Sequence, residues 1–516
     1  MASVELISHL DAQWDAFDYA TDASISGDGR FIAYTAAKND VMPGFYSEVL
    51  IYDTLTETTT IASVQQDGSP LGYKSYDARI SNDGLFVSYT ASTLYLLGND
   101  TNQSSDIYHY DVTLETSEIV SKSSFGIQGF GASFNSDISA DGRYVVFESD
   151  VNTIAPNDSN TNRDVFVYDT NLDILRLVSL SSTGNQGSDF GGLYEFNPTI
   201  QADGSQVLYG TSRLNLAEQD ADYLPDIFVH NLSTDQTTLV STEQSNNGSY
   251  LYFTNPTISA DGSHVAYTQL TSKQELGTIS NTYDIVVRNM HTGKVTVVTQ
   301  EIDQPTAGPA FYDFNISADI SDNGAFIVFH SANPNLVAND INMLSDVFVY
   351  NVATGEIALV SLNASGGQAN GSSLNPVISG DGRYITFESN ATNLVAEDTD
   401  AATDIFLVSN PLFGPFDWTY GWTVNWHVGW QLGWHQDWHE AWFYGWMQGW
   451  VYGWEYGLHN GWQLFSYGWD VVSVVGWYQT WMIGWMTGWQ YGWTYGWTYG
   501  WTTGWQYGWY TDWLAG

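Results

Sequence analysis

One short pattern recurs seven times between residues 24 and 387 of this 516-residue chain, and it limits the possible folds more than any other feature. Each copy contains an apolar stretch, an Asp-Gly or Asn-Gly pair and an alternating apolar stretch; the first and last copies read SISGDGRFIAY and VISGDGRYITF. The turn residues, spaced by 55 to 62 positions, are Asp28, Asp83, Asp141, Asp203, Asp261, Asn323 and Asp381. Such a pattern is the sequence signal of a β-hairpin.

A second pair of strands follows each hairpin. Residues 164–179 read DVFVYDTNLDILRLVS, and residues 346–361 read DVFVYNVATGEIALVS. Both segments alternate apolar and polar residues around a turn. Four strands per unit, repeated seven times, predict an all-β fold: a seven-bladed β-propeller.

The two ends of the repeat array predict that the ring closes. The seventh unit ends with DIFLVSN at residues 404–410 and lacks the outer strand that the other units carry, such as TTLVS or IALVS. A matching stretch, VELIS, lies at residues 4–8. We expect this N-terminal strand to complete the last blade, which removes two exposed sheet edges. The alternative is an open array with a frayed terminus.

The repeated units S-x-D-G-R-[YF]-[VI]-x-[FY] resemble TolB-type, WD-like propeller repeats over roughly residues 4–410. The stretch NDSNTNRDVFVYDTN further resembles bacterial surface and secreted members that have D-T-N-x-x-x-D-V-F-V loops. The resemblance implies a propeller fold. Propellers carry out binding, scaffolding and several enzyme reactions, so the function has to be argued from the loops.

Five units carry an acidic loop between their second and third strands. With ligand-type residues at positions one, three and seven, these loops contain Asp100, Asn102 and Asp106; Asp158, Asn160 and Asp164; Asp220, Asp222 and Asp226; Asp340, Asn342 and Asp346; and Asp398, Asp400 and Asp404. The loops of units 1 and 5 are degenerate, although unit 5 keeps Asn281 and Asp284. Carboxylate and amide oxygens at this spacing suit Ca²⁺, with backbone carbonyls and water as further ligands. Alternatively, these Asp and Asn residues only form turns and cap strands.

The charge of the chain bears on its partners. The chain has 58 acidic and 13 basic side chains and a net charge of -45, which disfavours nucleic acid and anionic membranes and attracts cations. High solubility is an alternative reason for this charge. The chain has no cysteine, no apolar run of membrane-spanning length and no standard N-terminal signal peptide.

The composition changes near Pro411 to Pro415, which predicts a propeller domain at residues 1–415 and a second domain at 416–516. All Lys and Arg precede this junction, whereas 22 of the 23 Trp follow it. From Trp418 to Trp454 and from Trp477 to Trp513, Trp recurs at every fourth position and Gly usually precedes it. Because Gly in a helix costs about 1 kcal/mol relative to Ala, we favour a β- or turn-rich aromatic tetrapeptide repeat over a helical hairpin.

Aromatic ladders of this kind stack on sugar rings or on one another. We assign the binding or assembly role in the tail to Trp485, Trp489, Trp493, Trp497, Trp501, Trp505 and Trp509. The alternative is an internal packing core without an external partner. The favoured hypothesis is a non-enzymatic protein, extracellular or at the cell surface, that leaves the cell by a route without a standard signal peptide. Its partners would be copies of itself, an extracellular polysaccharide or the cell surface.

The sequence leaves two other functions open. One is an extracellular glycan-active hydrolase or lyase that uses a carboxylate pair at the channel mouth, with the tail as its binding module. The other is an intracellular or periplasmic scaffold of TolB type. The sequence contains no G-x-S-x-G nucleophile elbow and no H-E-x-x-H metal motif. We therefore expect the protein not to be an enzyme.

The tail hypothesis predicts an assembly defect. Replacing Trp485, Trp493, Trp501 and Trp509 with Ala should release a soluble monomer, because interface energy concentrates in buried aromatic anchors. Light scattering and retention on polysaccharide would measure this. An unchanged assembly state and unchanged retention, together with a lower melting temperature, would show that the ladder is an internal core.

Overall fold

The computed structural model describes most of the propeller region. The described residues are 4–8, 17–38, 46–64, 74–92, 100–102, 104–151, 154–155, 157–187, 197–218, 220, 224–241, 249–275, 278–299, 317–338, 340–398 and 400–414. Their regular secondary structure consists of 28 strands, so the all-β class predicted from the sequence is confirmed.

The strands form seven antiparallel blades. Blade 7 contains β1 (Val4–Leu6), β26 (Ser373–Ile378), β27 (Tyr384–Ser389) and β28 (Asp404–Ser409). Blade 1 contains β2 (Tyr19–Ile25), β3 (Phe31–Ala37), β4 (Ser47–Asp53) and β5 (Thr58–Ile61). Blade 2 contains β6 (Lys74–Ile80), β7 (Phe86–Ser92), β8 (Ser105–Asp111) and β9 (Thr116–Ile119). Blade 3 contains β10 (Ser133–Ile138), β11 (Tyr144–Ser149), β12 (Asp164–Asp169) and β13 (Ile174–Leu177).

The remaining blades follow the same order. Blade 4 contains β14 (Thr199–Ile200), β15 (Gln206–Thr211), β16 (Asp226–Asn231) and β17 (Gln236–Leu239). Blade 5 contains β18 (Ser249–Ile258), β19 (His264–Glu275), β20 (Thr278–Asn289) and β21 (Val295–Val297). Blade 6 contains β22 (Ala318–Ile320), β23 (Phe326–Ser331), β24 (Asp346–Asn351) and β25 (Ile357–Leu359). Blades 1 and 2 are also linked by one parallel bridge, Ser47 to Lys74.

Among the described residues, the hydrophobic core consists of seven separate clusters, each between two consecutive blades. Every cluster contains one buried isoleucine from an innermost strand: Ile25, Ile80, Ile138, Ile200, Ile258, Ile320 and Ile378. The cluster between blades 7 and 1 combines Ile7 and Ile405 with Ile32. Since each sheet buries both faces against its neighbours, the described blades form a complete ring.

The Asp-Gly turns of neighbouring blades are hydrogen-bonded to one another and form a ring at one end of the propeller's central channel. Gly27 N–H donates to Asn82 O at 2.9 Å, and Asp381 N–H donates to Gly27 O at 2.9 Å, so the turns of blades 7, 1 and 2 are joined directly. Gly29 has a φ of 77°, and a Cβ built on it would lie 2.3 Å from the Tyr384 ring of blade 7. Only glycine accommodates both the positive φ and this close approach.

The N-terminal strand completes blade 7, as the sequence predicts. Val4, Glu5 and Leu6 pair antiparallel with Val408, Leu407 and Phe406. Ile7 N–H then donates to Ile405 O at 2.8 Å. The equivalent bond in blade 3 joins Val178 N–H to Val165 O. The open-array alternative is therefore wrong.

The chain divides into two units, Met1–Phe413 and Gly414–Gly516. Phe413 packs on Phe326 of blade 6, with ring centroids 6.0 Å apart. The tail beyond Gly414, including the seven Trp residues assigned to binding or assembly, lies outside the described residues. Its predicted β- or turn-rich repeat and the helical alternative remain predictions.

Candidate functional site

The residue at position seven makes the same contact in all five acidic loops. Its carboxylate accepts a hydrogen bond from a Ser hydroxyl at the end of the outer strand, and that hydroxyl accepts the next backbone N–H. We call this the Ser–Asp latch. In the five acidic loops the pairs are Ser121 with Asp106, Ser179 with Asp164, Ser241 with Asp226, Ser361 with Asp346 and Ser8 with Asp404.

The degenerate blades keep a variant of this latch. Ser63 bonds to Glu48 in blade 1, and Thr299 bonds to Asp284 at 3.4 Å in blade 5. One oxygen of the seventh residue therefore fastens the outer strand. Its donor is a hydroxyl group, whereas the capping interpretation expects backbone N–H donors. The question of a cation concerns the remaining oxygens of each loop.

In blade 2 both oxygens of Asp106 have donors. Ser121 Oγ lies 2.6 Å from Oδ1, and Gln128 Nε2 lies 3.2 Å from Oδ2. The Gln128 carbonyl accepts from Thr101 N–H at 2.7 Å, which fixes the orientation of the amide. Burial, with a smaller contribution from Asp100, raises the pKa of Asp106 to about 7. The glutamine amide thus supplies hydrogen-bond donors where a cation would otherwise compensate the carboxylate.

Blade 3 has the same glutamine and an arginine as well. Gln186 Nε2 donates to Asp158 at 2.9 Å and to Asp164 at 3.3 Å. Arg213, which is buried and comes from blade 4, forms an ion pair with Asp164. Because the Arg213 guanidinium compensates the negative charge of Asp164, a metal ion would stabilise this loop less. Asp158 Oδ2 nevertheless has no hydrogen-bond partner.

Blades 6 and 7 leave carboxylate oxygens uncompensated. In blade 6, Oδ2 of Asp340 and Oδ2 of Asp346 are buried without a hydrogen-bond partner, and the two residues are only 6% and 0% exposed. Gln368 reaches only the other oxygen of Asp340, at 3.2 Å. Burial, followed by the charge of Asp340, raises the pKa of Asp346. A buried carboxylate oxygen without a donor is costly unless a cation approaches it.

Blade 7 brings three carboxylates together. One oxygen from each of Asp398, Asp400 and Asp404 lies within 4.8 Å of the others. Asp398 is 7% exposed, its Oδ1 accepts from Asp400 N–H at 3.3 Å, and its Oδ2 is buried without a partner. Burial raises the pKa of Asp398, and the charge of Asp400 adds to this effect. An all-oxygen donor set of this kind fits Ca²⁺.

The fourth blade is described in part. Asp220 and Asp226 are placed, and Asp226 holds the latch serine Ser241, whereas Asp222 lies outside the described residues. Among the described residues, the structure brings all three predicted ligands together in blade 7. In blades 2, 3 and 6 the Oδ1 of Asn102, Asn160 and Asn342 accepts a backbone N–H two residues further on, as in a turn. The loops differ in their glutamine and arginine partners. Sequence reasoning missed these partners, although a G-x-Q pattern seven residues after the latch serine marks Gln128, Gln186 and Gln368.

A cavity of about 520 Å³ occupies the central channel. An Asp or Asn with positive φ lines it from six blades: Asp22, Asp77, Asn135, Asn197, Asn255 and Asn375. Five of these residues lie at bulges of the innermost strands, and Asn197 precedes β14. Asp and Asn tolerate this left-handed conformation better than other non-glycine residues. At the Asp-Gly end, Asn82 Nδ2 of blade 2 donates to both oxygens of Asp322 in blade 6, at 3.1 and 3.0 Å. This side-chain bridge spans the ring and narrows that end of the channel.

The described channel lining is strongly acidic. It contains six carboxyl groups and one guanidinium, Arg79, which pairs with Asp77 at 3.1 Å. Burial raises the pKa of Asp319 to about 6 and that of Glu388 to about 7. Asp319 accepts from Ile378 N–H at 3.0 Å, and Glu388 accepts from Asp22 N–H at 2.8 Å. These carboxyl groups fasten neighbouring blades and hold protons more strongly than exposed ones.

No family model and no curated protein matches the sequence. Among solved structures, the chain is similar to a putative TolB from Agrobacterium tumefaciens, with 12% identity, a TM-score of 0.34, and coverage of 54% of this chain and 80% of that one. It is also similar to the RRP9 WD40 repeats, with 8% identity, a TM-score of 0.42, and coverage of 79% and 97%.

A third similar structure is the GH74 xyloglucanase from Xanthomonas campestris, with 9% identity, a TM-score of 0.41, and coverage of 78% of this chain and 55% of that one. The chain thus spans about half the length of that enzyme. The fold assignment rests on the strand pairing and the seven interblade clusters. In the described part of the chain, no helix has the length and hydropathy needed to cross a membrane.

The channel predicts a pH-dependent stability. The folded-state pKa of Glu388, about 7, lies above its ordinary value of 4.5, so its contribution is complete below about pH 4.5 and is lost as the pH rises through 7. The neutral variant Glu388→Gln keeps an acceptor for Asp22 N–H. At pH 8 we expect it to be more stable than the natural protein by an amount on the order of 3 kcal/mol. At pH 4 this advantage should vanish.

Thermal unfolding across this pH range measures the effect. The exposed Glu356→Gln variant, which removes the same charge, is the matched control and should follow the natural protein at every pH. Identical pH profiles for Glu388→Gln and the natural protein would contradict the assignment of a proton to buried Glu388.

Proposed function

We propose that the protein is a non-enzymatic binding or structural protein, located outside the cell or at its surface, in which Ca²⁺ stabilises the propeller. The aromatic tail attaches it to other copies of itself, to polysaccharide or to the cell surface. The observation that carries the calcium part of this proposal is the blade 7 cluster of Asp398, Asp400 and Asp404 with its buried, unpartnered Asp398 oxygen.

The loop chemistry favours calcium. Carboxylates, backbone carbonyls and water together meet the six to eight oxygen ligands that Ca²⁺ accepts, and its flexible geometry tolerates irregular loops. Blade 6 offers a second cation position at Asp340 and Asp346, with Asn342 between them in the loop. In blades 2 and 3, glutamine and arginine side chains supply part of the compensation. The cations are structural in this proposal, because each loop connects two strands of one blade.

The composition supports the proposed location and partners. A net charge of -45 favours cation binding over association with phosphate groups. Dependence on loop-bound calcium suits surroundings in which calcium is abundant, because affinities of extracellular calcium modules are characteristically weak. The tail carries 22 Trp and no Lys or Arg, so stacking rather than charge attraction is its means of attachment.

A glycan-active enzyme is the alternative function, and the channel favours it. Asp319 and Glu388 are buried carboxyl groups with pKa values of about 6 and 7, in the range of a glycosidase general acid. The hydrogen bonds from Ile378 and Asp22 give both residues a fastening role as well. If the natural protein cleaves an extracellular polysaccharide and the Glu388→Gln variant does not, the enzymatic function is correct.

Calcium removal tests the calcium-stabilised propeller. Chelation with EGTA should lower the melting temperature of the full chain, because a ligand at 100 times its Kd adds about 2.7 kcal/mol per site to the stability of the folded state. Calorimetry with and without Ca²⁺ measures this difference. The double variant Asp340→Asn with Asp398→Asn should lose most of the response, whereas Glu356→Gln should keep it. A melting temperature that does not change when EGTA is added would contradict the proposal.

A further inference from the structure

The latch of blade 7 differs from those of the other acidic loops in how far apart its partners lie in the sequence. Ser361 and Asp346 are 15 residues apart, as are the latch partners of blades 2, 3 and 4. Ser8 and Asp404 are 396 residues apart. In the other acidic blades the latch fastens two strands that already belong to one hairpin. In blade 7 it fastens the N-terminal strand β1 to β28 and so closes the ring.

The latch acts together with a short pairing, the Ile7 N–H bond to Ile405 O and the packing of Val4, Leu6 and Ile7 in holding β1. Its pairing covers three residues, Val4, Glu5 and Leu6, which is less than most outer strands of the propeller have. Ile7 is fully buried in the cluster between blades 7 and 1. Ser8 Oγ donates to Asp404 Oδ1 at 2.6 Å and accepts from Ile405 N–H at 3.0 Å. The position of Asp404 therefore affects how firmly Ser8, next to Ile7, is held.

Asp404 also belongs to the acidic cluster of blade 7. A carboxylate oxygen from each of Asp398, Asp400 and Asp404 lies within 4.8 Å of the others, and Asp398 brings its buried, unpartnered Oδ2 to this loop. Three carboxylates at this separation repel one another when no cation compensates them. Of the three, Asp404 is the residue whose displacement would also release the N-terminal strand, because it binds Ser8.

We propose that Ca²⁺ bound by Asp398, Asp400 and Asp404 locks the ring, because it holds Asp404 in the orientation that binds Ser8. This inference rests on the calcium site of the proposed function and adds its consequence. Removal of the cation lets the three carboxylates move apart, breaks the Ser8 latch and opens the last blade at β1. The open form exposes the outer edge of β28 and the cluster that contains Ile7. Ca²⁺ favours the closed ring by its higher affinity for the closed arrangement.

Blade 6 supplies a matched control. Its loop has the same spacing, and Asp346 holds Ser361 in the way that Asp404 holds Ser8. However, β24 and β25 are the two arms of one hairpin, so loss of the blade 6 cation leaves the ring closed. If the cations only raised the overall stability, substitutions in the two loops would have the same effect on residues 4–8. If the blade 7 cation locks the ring, only substitutions in the blade 7 loop would expose residues 4–8.

Hydrogen-deuterium exchange of the full chain, followed by mass spectrometry, tests the lock. With EGTA in place of Ca²⁺, amides of residues 4–8 and 404–409 should exchange about tenfold faster or more, within the usual range of site-to-site coupling. Asp398→Asn should show this fast exchange even with Ca²⁺ present. Asp340→Asn should lower the melting temperature and leave the exchange of residues 4–8 dependent on Ca²⁺.

The outcomes separate the two proposals. If EGTA changes neither the melting temperature nor any exchange rate, the calcium-stabilised propeller itself is wrong. If Ca²⁺ stabilises the protein but residues 4–8 exchange at the same rate with and without it, the lock is wrong and the calcium site stands. Equal opening of residues 4–8 by Asp340→Asn and Asp398→Asn would also overturn the lock.

A second variant keeps the test decisive if Asp398→Asn does not fold. Ser8→Ala retains all three carboxylates and removes only the latch hydroxyl. We expect residues 4–8 of this variant to exchange rapidly at any Ca²⁺ concentration, while the melting temperature still responds to EGTA. Slow, Ca²⁺-dependent exchange at residues 4–8 in Ser8→Ala would contradict the lock.

Discussion

The ring depends on one short antiparallel pairing, in which Val4, Glu5 and Leu6 lie along β28. Without it, blade 7 would present an unpaired outer edge, and the cluster between blades 7 and 1 would lose Ile7. Each sheet of a propeller is stabilised by its two neighbours, so an opening at one junction weakens the junctions on both sides. The first and last strands of the propeller meet at this junction, and the acidic cluster of Asp398, Asp400 and Asp404 lies beside it.

Repulsion between buried carboxylates is the main interaction that destabilises this fold. The chain carries 58 acidic side chains, and several of them are buried in the loops and in the channel. The described blades compensate them in different ways: glutamine amides in blades 2 and 3, the Arg213 guanidinium in blade 3, and Arg79 in the channel. In the acidic loops, Asp158, Asp340, Asp346 and Asp398 each keep an oxygen without a hydrogen-bond donor. If the proposed cations bind, these are the places where they would change stability most.

The sequence predicts the fold well because hairpin signals are local. Asp-Gly turns and alternating strands lie within a dozen residues of each other, and the missing outer strand of the last unit could be matched to VELIS. The five acidic loops look alike in the sequence, yet their surroundings differ. Arg213 reaches Asp164 from the next blade, 49 residues away, and no local pattern specifies such a neighbour. Gln186 is different, since its G-x-Q spacing recurs and could have been recognised.

A designed disulfide tests ring closure most directly, because the natural chain has no cysteine. Val4 and Val408 face each other in the pairing of β1 with β28, and opposed positions on antiparallel strands fall within the distance that a disulfide spans. Val4→Cys with Val408→Cys should form an intramolecular disulfide on oxidation, detected by mass spectrometry of the linked peptides. Val4→Cys with Leu407→Cys, one position out of register, should not form it. Free thiols or intermolecular disulfides in the Val4 and Val408 variant would contradict closure by the N-terminal strand.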